Sequence, residues 1–164
     1  MNRISVPPGG ATPFDHQPEM WKAFRQYYGT LWSNGIVDQP TKEVGRLRNA
    51  RVTGCGICKN LRFAGARAGG LTEDLVERID TDFEAHELPE RWKLVVRFVD
   101  ALILSPASVS AELRSALLAE FSAAEIVELT ATLTTAIAFS KAAVAFGAPP
   151  EMPVLEVPTP GAED

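Results

Sequence analysis

Two cysteines lie three positions apart in the segment Gly54-Cys55-Gly56-Ile57-Cys58. The surrounding pattern places them at the start of a helix, where unpaired backbone N–H groups and the helix dipole favour a thiolate. A thiol with a pKa of about 8.5 is only a few per cent ionised at pH 7, whereas a pKa of about 7 makes half of it a nucleophile. The spacing therefore predicts a redox-active pair.

Two charged residues complete the candidate site. Arg62 follows Cys58 by four positions, so a continuous helix would place both on one face, and the fixed charge of Arg62 would stabilise a Cys58 thiolate. A guanidinium stays protonated and cannot relay protons. We therefore expect the general acid or base to be Glu43, provided that its helix packs against the cysteines.

Other interpretations of the cysteines stay open. One CxxC is half of a zinc site, but there is no second CxxC, and His16 and His86 lack ligand spacing to it, so we expect no bound metal. Cysteine is also a common core residue, so both thiols could be buried and inert. His86 could supply an imidazole by folding back, although its polar surroundings favour a surface loop.

Composition narrows the function classes. The 164 residues fit one domain, and 46% hydrophobic with 23% charged residues describes an ordinary globular chain. The net charge of −5 argues against a nucleic-acid partner. Arg46, Arg48 and Arg51 cluster before the cysteines, and we interpret them as the solvated face of a helix.

Neither an export signal nor a membrane partner is expected. Residues 1–19 lack an apolar core of signal-peptide length, so we expect a cytoplasmic protein. Residues 129–140 carry no charge, but the run is shorter than the roughly 20 residues that span a bilayer. We interpret this run as part of a buried helix.

Apolar residues recur with helical period through residues 19–147, which predicts an all-α, single-domain bundle of about six or seven helices. The flanking segments, residues 1–18 and 148–164, hold nine of the twelve prolines and are expected to be extended arms. The predicted helices cover 19–33 (ended by Asn34-Gly35), 41–54 (capped by Thr41), 55–69, 72–79, 90–105, a segment from Ser110 through Leu117, and 122–147 (a capping box of Ser122 and Glu125, stopped by Gly147).

At this point the residues resemble a known family. The spacing of three residues is similar to that in the alkylhydroperoxidase D-like branch of the carboxymuconolactone decarboxylase family: eleven residues separate Glu43 from Cys55, and two separate Cys55 from Cys58. The stretch RLRNARVTGCGICKNLRFAGARAGGL resembles its helix–CxxC–helix unit. Two later segments also resemble sequences of this family, so the resemblance covers roughly residues 20–158. They are RFVDALILSPASVSAELRSALLAEFSAAEIVELTATL and FGAPPEMPVLEVPTP.

The resemblance implies roles for these residues. Cys58 would attack a hydroperoxide and become a sulfenic acid, Cys55 would resolve it to a disulfide, and Glu43 would belong to the proton relay. No cofactor would be bound; an external dithiol, lipoyl-type or thioredoxin-like, would reduce the disulfide. The family forms oligomers, so we expect a homodimer or larger assembly. The sequence departs from the family by having Arg62 where a histidine is usual, which affects proton-coupled peroxide cleavage more than disulfide exchange.

Three functions therefore remain in view. The first is a thiol-dependent peroxidase or thiol–disulfide oxidoreductase. The second is a redox-silent decarboxylase-like enzyme or oligomeric small-molecule-binding protein, using an aromatic pocket near Trp21, Tyr27, Tyr28 and Trp32. The third is a scaffold in which the proline-rich C-terminal arm crosses to a neighbouring subunit.

Overall fold

The computed structural model describes residues 3–33 and 35–162. Within that part of the chain, eight α-helices and two three-residue strands follow one another, which confirms the all-α prediction. Asn34, predicted to end the first helix together with Gly35, lies outside the described residues. The elements are α1 (Pro18–Ser33), α2 (Gln39–Thr53), α3 (Gly56–Asn60), β1 (Leu61–Phe63), α4 (Ala64–Ala68), α5 (Glu73–Glu77), α6 (Glu90–Leu104), α7 (Ala111–Glu120), α8 (Ala123–Phe146) and β2 (Leu155–Val157).

The ends of the helices follow local sequence signals. Ser122 and Glu125 form the predicted capping box at the start of α8, and Gly147 ends that helix with a left-handed φ of 95°. Thr41 was predicted to cap α2, but this prediction was wrong. The helix begins two residues earlier, and the carboxylate of Asp38 accepts the Thr41 N–H at 2.9 Å.

Helix α2 is the central element, and it packs against both α6 and α8. Residues 40–50 are all buried, although six of them are polar or charged. At Gly45 a Cβ atom would lie 2.4 Å from a methyl carbon of Leu133, so the absence of a side chain lets α8 approach closely. The remaining core consists of apolar residues from α6, α7 and α8 on one side and from α4, α5 and the following loop on the other.

The expectation that Arg46, Arg48 and Arg51 form a solvated face was wrong. Arg46 and Arg48 are buried, and Arg48 makes a bidentate ion pair with Asp100 at 2.7 and 2.8 Å. Arg51 donates to backbone carbonyl groups at the end of α5 and just beyond it. Because each charge has an acceptor from another segment, a helix that looks exposed by composition is covered on all sides.

Helix α8 is the most apolar element, and it is the one helix in the described residues that is long and apolar enough to cross a membrane by length and composition alone. In the fold it behaves as a core helix. Its buried face, which includes Leu129, Leu133 and Ile137, packs with residues of α6 such as Val95 and Val99. The predicted buried helix is therefore present.

The helix predicted from the cysteines to Gly69-Gly70 is interrupted, and this accounts for a helix count above the expected six or seven. Its backbone turns extended at Leu61, and β1 pairs in parallel with β2, with Leu61 opposite Leu155 and Phe63 opposite Val157. Through this pairing the C-terminal arm packs against its own chain. The alternative in which the arm crosses to a neighbouring subunit stays a prediction.

A buried ion pair closes the connection between α1 and α2. The ammonium of Lys42 is fully buried, lies 2.6 Å from the Glu128 carboxylate of α8, and donates to the carbonyl of Leu31 at 2.8 Å. Glu128 also accepts the N–H groups of Ile36 and Val37. The pair therefore joins three segments.

We predict that Glu128→Gln lowers the free energy of unfolding by about 3 kcal/mol or more, because it leaves the Lys42 ammonium buried without a counter-charge. The amide oxygen of Gln can still accept the Ile36 and Val37 N–H groups, but its NH2 group then faces the Lys42 ammonium, so the variant removes the counter-charge and the acceptor for Lys42 together. Urea unfolding followed by circular dichroism measures the effect. The control Glu87→Gln, at an exposed position, should change stability by less than about 0.5 kcal/mol. A similar small loss for Glu128→Gln would contradict the prediction.

Candidate active site around the CxxC pair

Both cysteines lie where α2 ends and α3 begins. Gly54 takes a left-handed φ of 68° and stops α2, and Cys55 then occupies the N-cap of α3. Its sulfur accepts the backbone N–H of Cys58 at 3.3 Å. Cys55 is fully buried and Cys58 is 5% exposed, and both are free thiols. The two thiols are therefore adjacent and almost shielded from water.

The surroundings give the two thiols different proton affinities. The hydrogen bond from the Cys55 thiol lowers the pKa of Cys58 to about 6, with further help from Ser140 and the charge of Arg46, against the opposing effect of burial. The same hydrogen bond and burial raise the pKa of Cys55. Of the two thiols, Cys58 is therefore the more acidic, and Cys55 is the one that holds its proton more strongly.

Ser140 and Asn49 form a buried support for Cys58. The amide nitrogen of Asn49 donates to the Ser140 hydroxyl oxygen at 3.0 Å and to the carbonyl of Ala136 at 3.2 Å. Because this oxygen already accepts from Asn49, its own proton is free to point at the Cys58 sulfur. Sequence reasoning missed both residues. For Ser140, the available signal was a hydroxyl group in the uncharged run 129–140 of α8, on the same face as Leu133, Ala136 and Ile137.

Glu43 reaches the CxxC segment through Arg46. The Arg46 guanidinium donates to the two Glu43 oxygens at 2.6 and 2.7 Å, to the carbonyl of Cys58 at 2.5 Å and to that of Leu61 at 2.7 Å. Burial opposes the charge of Arg46, but the Glu43 carboxylate outweighs burial, so the pKa of Arg46 is raised. The structure thus brings Glu43 close to the cysteines, with Arg46 between them.

Arg62 does not take the position that the helical pattern predicted. It lies on β1, past the end of α3, and its guanidinium pairs with Glu73 at 2.9 and 3.0 Å. It also donates to the carbonyl groups of Lys59 and Leu61. Because the helix stops at Asn60, Arg62 leaves the Cys58 face. The cationic group beside Cys58 is Arg46, which sequence reasoning had placed in solvent.

An apolar cavity of about 220 Å³ opens against Cys58. Its wall includes Tyr28 of α1 and Ser140 of α8. Burial raises the pKa of Tyr28, although the charge of Arg46 works against this, so the phenol is protonated at neutral pH. The other lining residues are Arg46, Ile57, Leu61, Phe63, Ala136, Phe139, Val157, Pro158 and Pro160.

Histidine takes no part in this cavity. Among the described residues, which include both histidines, His86 contacts Asp80 at 3.3 Å and His16 contacts the carbonyl of Ser5 at 3.0 Å. Neither lines the cavity around Cys58. No group of three or more His, Cys, Asp or Glu residues in the described ranges has the arrangement of a metal site.

The aromatic pocket of the second hypothesis is present in part. Trp21 and Tyr28 line an open groove along α1. Tyr27 is 50% exposed and does not line it, while Trp32 is fully buried in the core. The sequence therefore identified the correct helix but only two of the four side chains.

We predict that Ser140→Ala raises the pKa of Cys58 by about one to two units, because a hydrogen bond to a charged group contributes about 1.5 to 3 kcal/mol. The rate of alkylation by iodoacetamide, measured against pH in a Cys55→Ser background, reports the thiolate fraction. Thiolate and rate are lost as pH falls through the Cys58 pKa, so the variant's profile should shift to higher pH. Thr134→Ala, at an exposed hydroxyl of the same helix, is the control. Identical profiles for Ser140→Ala and the unsubstituted chain would refute the role of Ser140.

We also predict that Arg62→Gln leaves the alkylation profile of Cys58 unchanged, because the Arg62 charge is neutralised by Glu73. The same experiment measures it. A shift as large as that of Ser140→Ala would restore the interpretation in which Arg62 stabilises the thiolate.

Comparison with known proteins gives relatives of unassigned function. No protein-family model matches the chain. Two uncharacterized proteins of Mycobacterium tuberculosis, one from strain CDC 1551 / Oshkosh and one from strain ATCC 25618 / H37Rv, are each 34% identical over 143 residues. These residues make up 85% of this chain and 49% of each relative. The chain therefore spans about half the length of the curated relatives it matches.

A solved structure gives the likeness in fold. A crystal structure of a protein of unknown function from Agrobacterium tumefaciens, provisionally assigned as the antioxidant defence protein AhpD, matches with a TM-score of 0.69 and 23% identity. The match covers 85% of this chain and 95% of that chain. At this level of identity the likeness concerns the fold, and the chain has an AhpD-like, all-helical, single-domain fold.

Proposed function

We propose that this protein is a thiol-dependent peroxidase of the AhpD-like family, from a CxxC branch with arginine at the usual histidine position. The observation that carries the proposal is the asymmetry of the pair: Cys58 has a lowered pKa and faces an apolar cavity, while Cys55 beside it keeps its proton. A buried thiolate that borders a substrate-sized space is the arrangement that peroxide reduction needs.

The first step uses Cys58 and a hydroperoxide. The Cys58 thiolate attacks the outer oxygen of the O–O bond, which breaks, so that the sulfur becomes a sulfenic acid and an alkoxide leaves. The arginine at position 62 cannot protonate the alkoxide, and neither histidine lines the cavity. Tyr28 can, because its protonated phenol borders the same cavity as Cys58 and an alkoxide is a stronger base than a phenolate. Arg46, close to Tyr28 and Cys58, offsets the transient negative charge on the phenolate.

The second step forms a disulfide between Cys55 and Cys58. The Cys55 sulfur displaces the oxygen of the Cys58 sulfenic acid, its thiol proton leaves with that oxygen as water, and a disulfide forms. The phenolate of Tyr28 regains a proton from solvent. An external dithiol, lipoyl-type or thioredoxin-like, then returns two electrons and two protons by disulfide exchange, so no bound cofactor is required. Glu43 acts in this scheme by holding Arg46 in place.

The setting of the reaction is part of the same proposal. The protein acts in the cytoplasm as a homodimer or larger assembly, in agreement with the family resemblance. Its partners are a hydroperoxide and a dithiol reductant protein, without nucleic acid and without a membrane. In keeping with this, α8 uses its apolar face for the core.

The test is stopped-flow mixing of the reduced protein with cumene hydroperoxide, followed by mass spectrometry. We expect a disulfide in the unsubstituted chain, a Cys58 sulfenic acid in Cys55→Ser, and no reaction in Cys58→Ser. If the reduced protein neither consumes the hydroperoxide nor alkylates quickly at neutral pH, the redox-silent alternative takes its place.

We predict that Tyr28→Phe slows peroxide reduction by roughly 100-fold or more, the usual contribution of a general acid. The pH profile for alkylation of Cys58 should stay close to that of the unsubstituted chain, which separates proton donation from thiolate formation. Tyr27→Phe is a matched control, since this neighbouring tyrosine is half-exposed and outside the cavity. Equal rates for the two variants would remove Tyr28 from the mechanism.

A further inference from the structure

An open groove of about 660 Å³ runs along the outer side of α1, between this helix, Phe139 of α8 and the C-terminal arm. Its size lies in the range of small-molecule sites, which combine apolar walls with a few polar groups. The groove itself has no role in the proposed reaction at Cys58. Three of its features indicate what it binds.

The first feature is a wall of stacked aromatic rings. Trp21 and Phe24 stack with centroids 5.3 Å apart and planes within 8°, and Phe24 and Tyr28 stack at 5.3 Å and 19°. Phe139 lies against Phe24 at 5.2 Å. Trp21, Phe24, Tyr28 and Phe139 all line the groove and are only partly buried. They form a continuous apolar surface that suits an extended hydrocarbon chain.

The second feature is that the groove adjoins the cavity at Cys58. Tyr28, Phe139, Pro158 and Pro160 line both spaces. The C-terminal arm is held there because the Ser33 hydroxyl donates to the Pro160 carbonyl at 2.5 Å and the Gly65 N–H donates to the Thr159 hydroxyl at 2.8 Å. The groove and the cavity at Cys58 therefore share a wall, and a molecule that lies in the groove is next to that cavity.

The third feature is the charge of the outer part of the groove. Lys22 and Arg25 line it and are exposed, and neither makes a salt bridge within residues 3–33 and 35–162. The charge of Arg25 acts only weakly on Asp15, whose carboxylate accepts the N–H groups of Thr12 and Ala11. The Arg25 guanidinium also lies over the Trp21 ring, 5.9 Å from its centroid. In a chain with a net charge of −5, two cations that have no ion-pair partner in the described residues and lie beside an apolar wall favour an anionic head group.

We propose that the groove binds amphipathic carboxylates with a hydrocarbon tail, and that the substrates of this class are fatty-acid hydroperoxides. The carboxylate lies at Lys22 and Arg25, the tail follows the aromatic wall, and the hydroperoxide group enters the cavity at Cys58. The identity of the substrate rests on the proposed peroxidase function, whereas the binding of the carboxylate does not.

Calorimetry with redox-inert probes tests the binding of the carboxylate separately from the identity of the substrate. Decanoate, decanol and decylamine share one tail and differ in head group. We expect decanoate to bind the reduced chain at least about tenfold more tightly than the other two, equivalent to about 1.4 kcal/mol, and to slow alkylation of Cys58. Lys22→Gln with Arg25→Gln should abolish the preference for decanoate. Arg114→Gln with Lys141→Gln removes the same charge from exposed positions on other helices and should preserve it.

Several outcomes would overturn the inference. One is equal affinity for the three probes, and another is decanoate binding that leaves Cys58 alkylation unchanged. A third is that decanoate does not bind because a second copy of the chain covers the groove. In that case the molecular mass would rise with protein concentration, and Phe24→Ser would lower it. Cumene hydroperoxide lacks a carboxylate, so its reduction tests the peroxidase proposal alone. If the protein reduces cumene hydroperoxide but does not bind decanoate, the peroxidase proposal is supported and the proposal of a carboxylate site is wrong.

Discussion

The bidentate pair between Glu43 and Arg46 is the interaction on which the site depends. The Arg46 guanidinium is held by the Glu43 carboxylate on the same helix, and it donates hydrogen bonds to the carbonyl groups of Cys58 and Leu61. Glu43 also accepts the N–H of Phe63 at 3.3 Å. The guanidinium lies 4.6 Å from the Phe63 ring centroid as well. A buried pair of this kind is tolerated because nearly every donor and acceptor has a partner. It fixes α2, the end of α3 and β1 in one arrangement.

This constraint explains why the central helix is so polar. A helix surrounded on all sides would usually be apolar. Here α2 instead carries four charged residues that reach three neighbouring segments. Lys42 binds the end of α1, Glu43 and Arg46 bind the segment from α3 to β1, and Arg48 binds α6. Their partners therefore act as a set of specific connections, while α6 and α8 supply the apolar contacts. Packing gives the bundle its cohesion, and the charges of α2 determine how the segments around the thiols are aligned.

The sequence predicted local features well and long-range ones poorly. The capping box at Ser122, the stop at Gly147 and the all-α class follow from interactions within a few residues, and all three are present. The strand at Leu61 depends on pairing with Leu155, which no local pattern reveals. That pairing ended the helix early and moved Arg62 to Glu73, while Arg46 took the position beside Cys58. The two thiols were visible in the sequence, whereas Ser140 and Asn49 belong to other helices and required the fold. Tyr28 was named only for the aromatic pocket, and its place beside Cys58 also required the fold.

The parallel pairing of β1 with β2 also has a consequence for the order of folding. Gly65 and Thr159, which are hydrogen-bonded next to this pair, are 94 positions apart in the chain, so the contact belongs to the long-range ones that slow folding. During synthesis, the CxxC segment emerges long before residues 155–160 are available. The nascent chain therefore passes through a period in which its thiols lack the wall provided by the arm and are open to any oxidant or chaperone. The part of the cavity wall at Cys58 that the arm supplies can be completed only after residues 157–160 have been made.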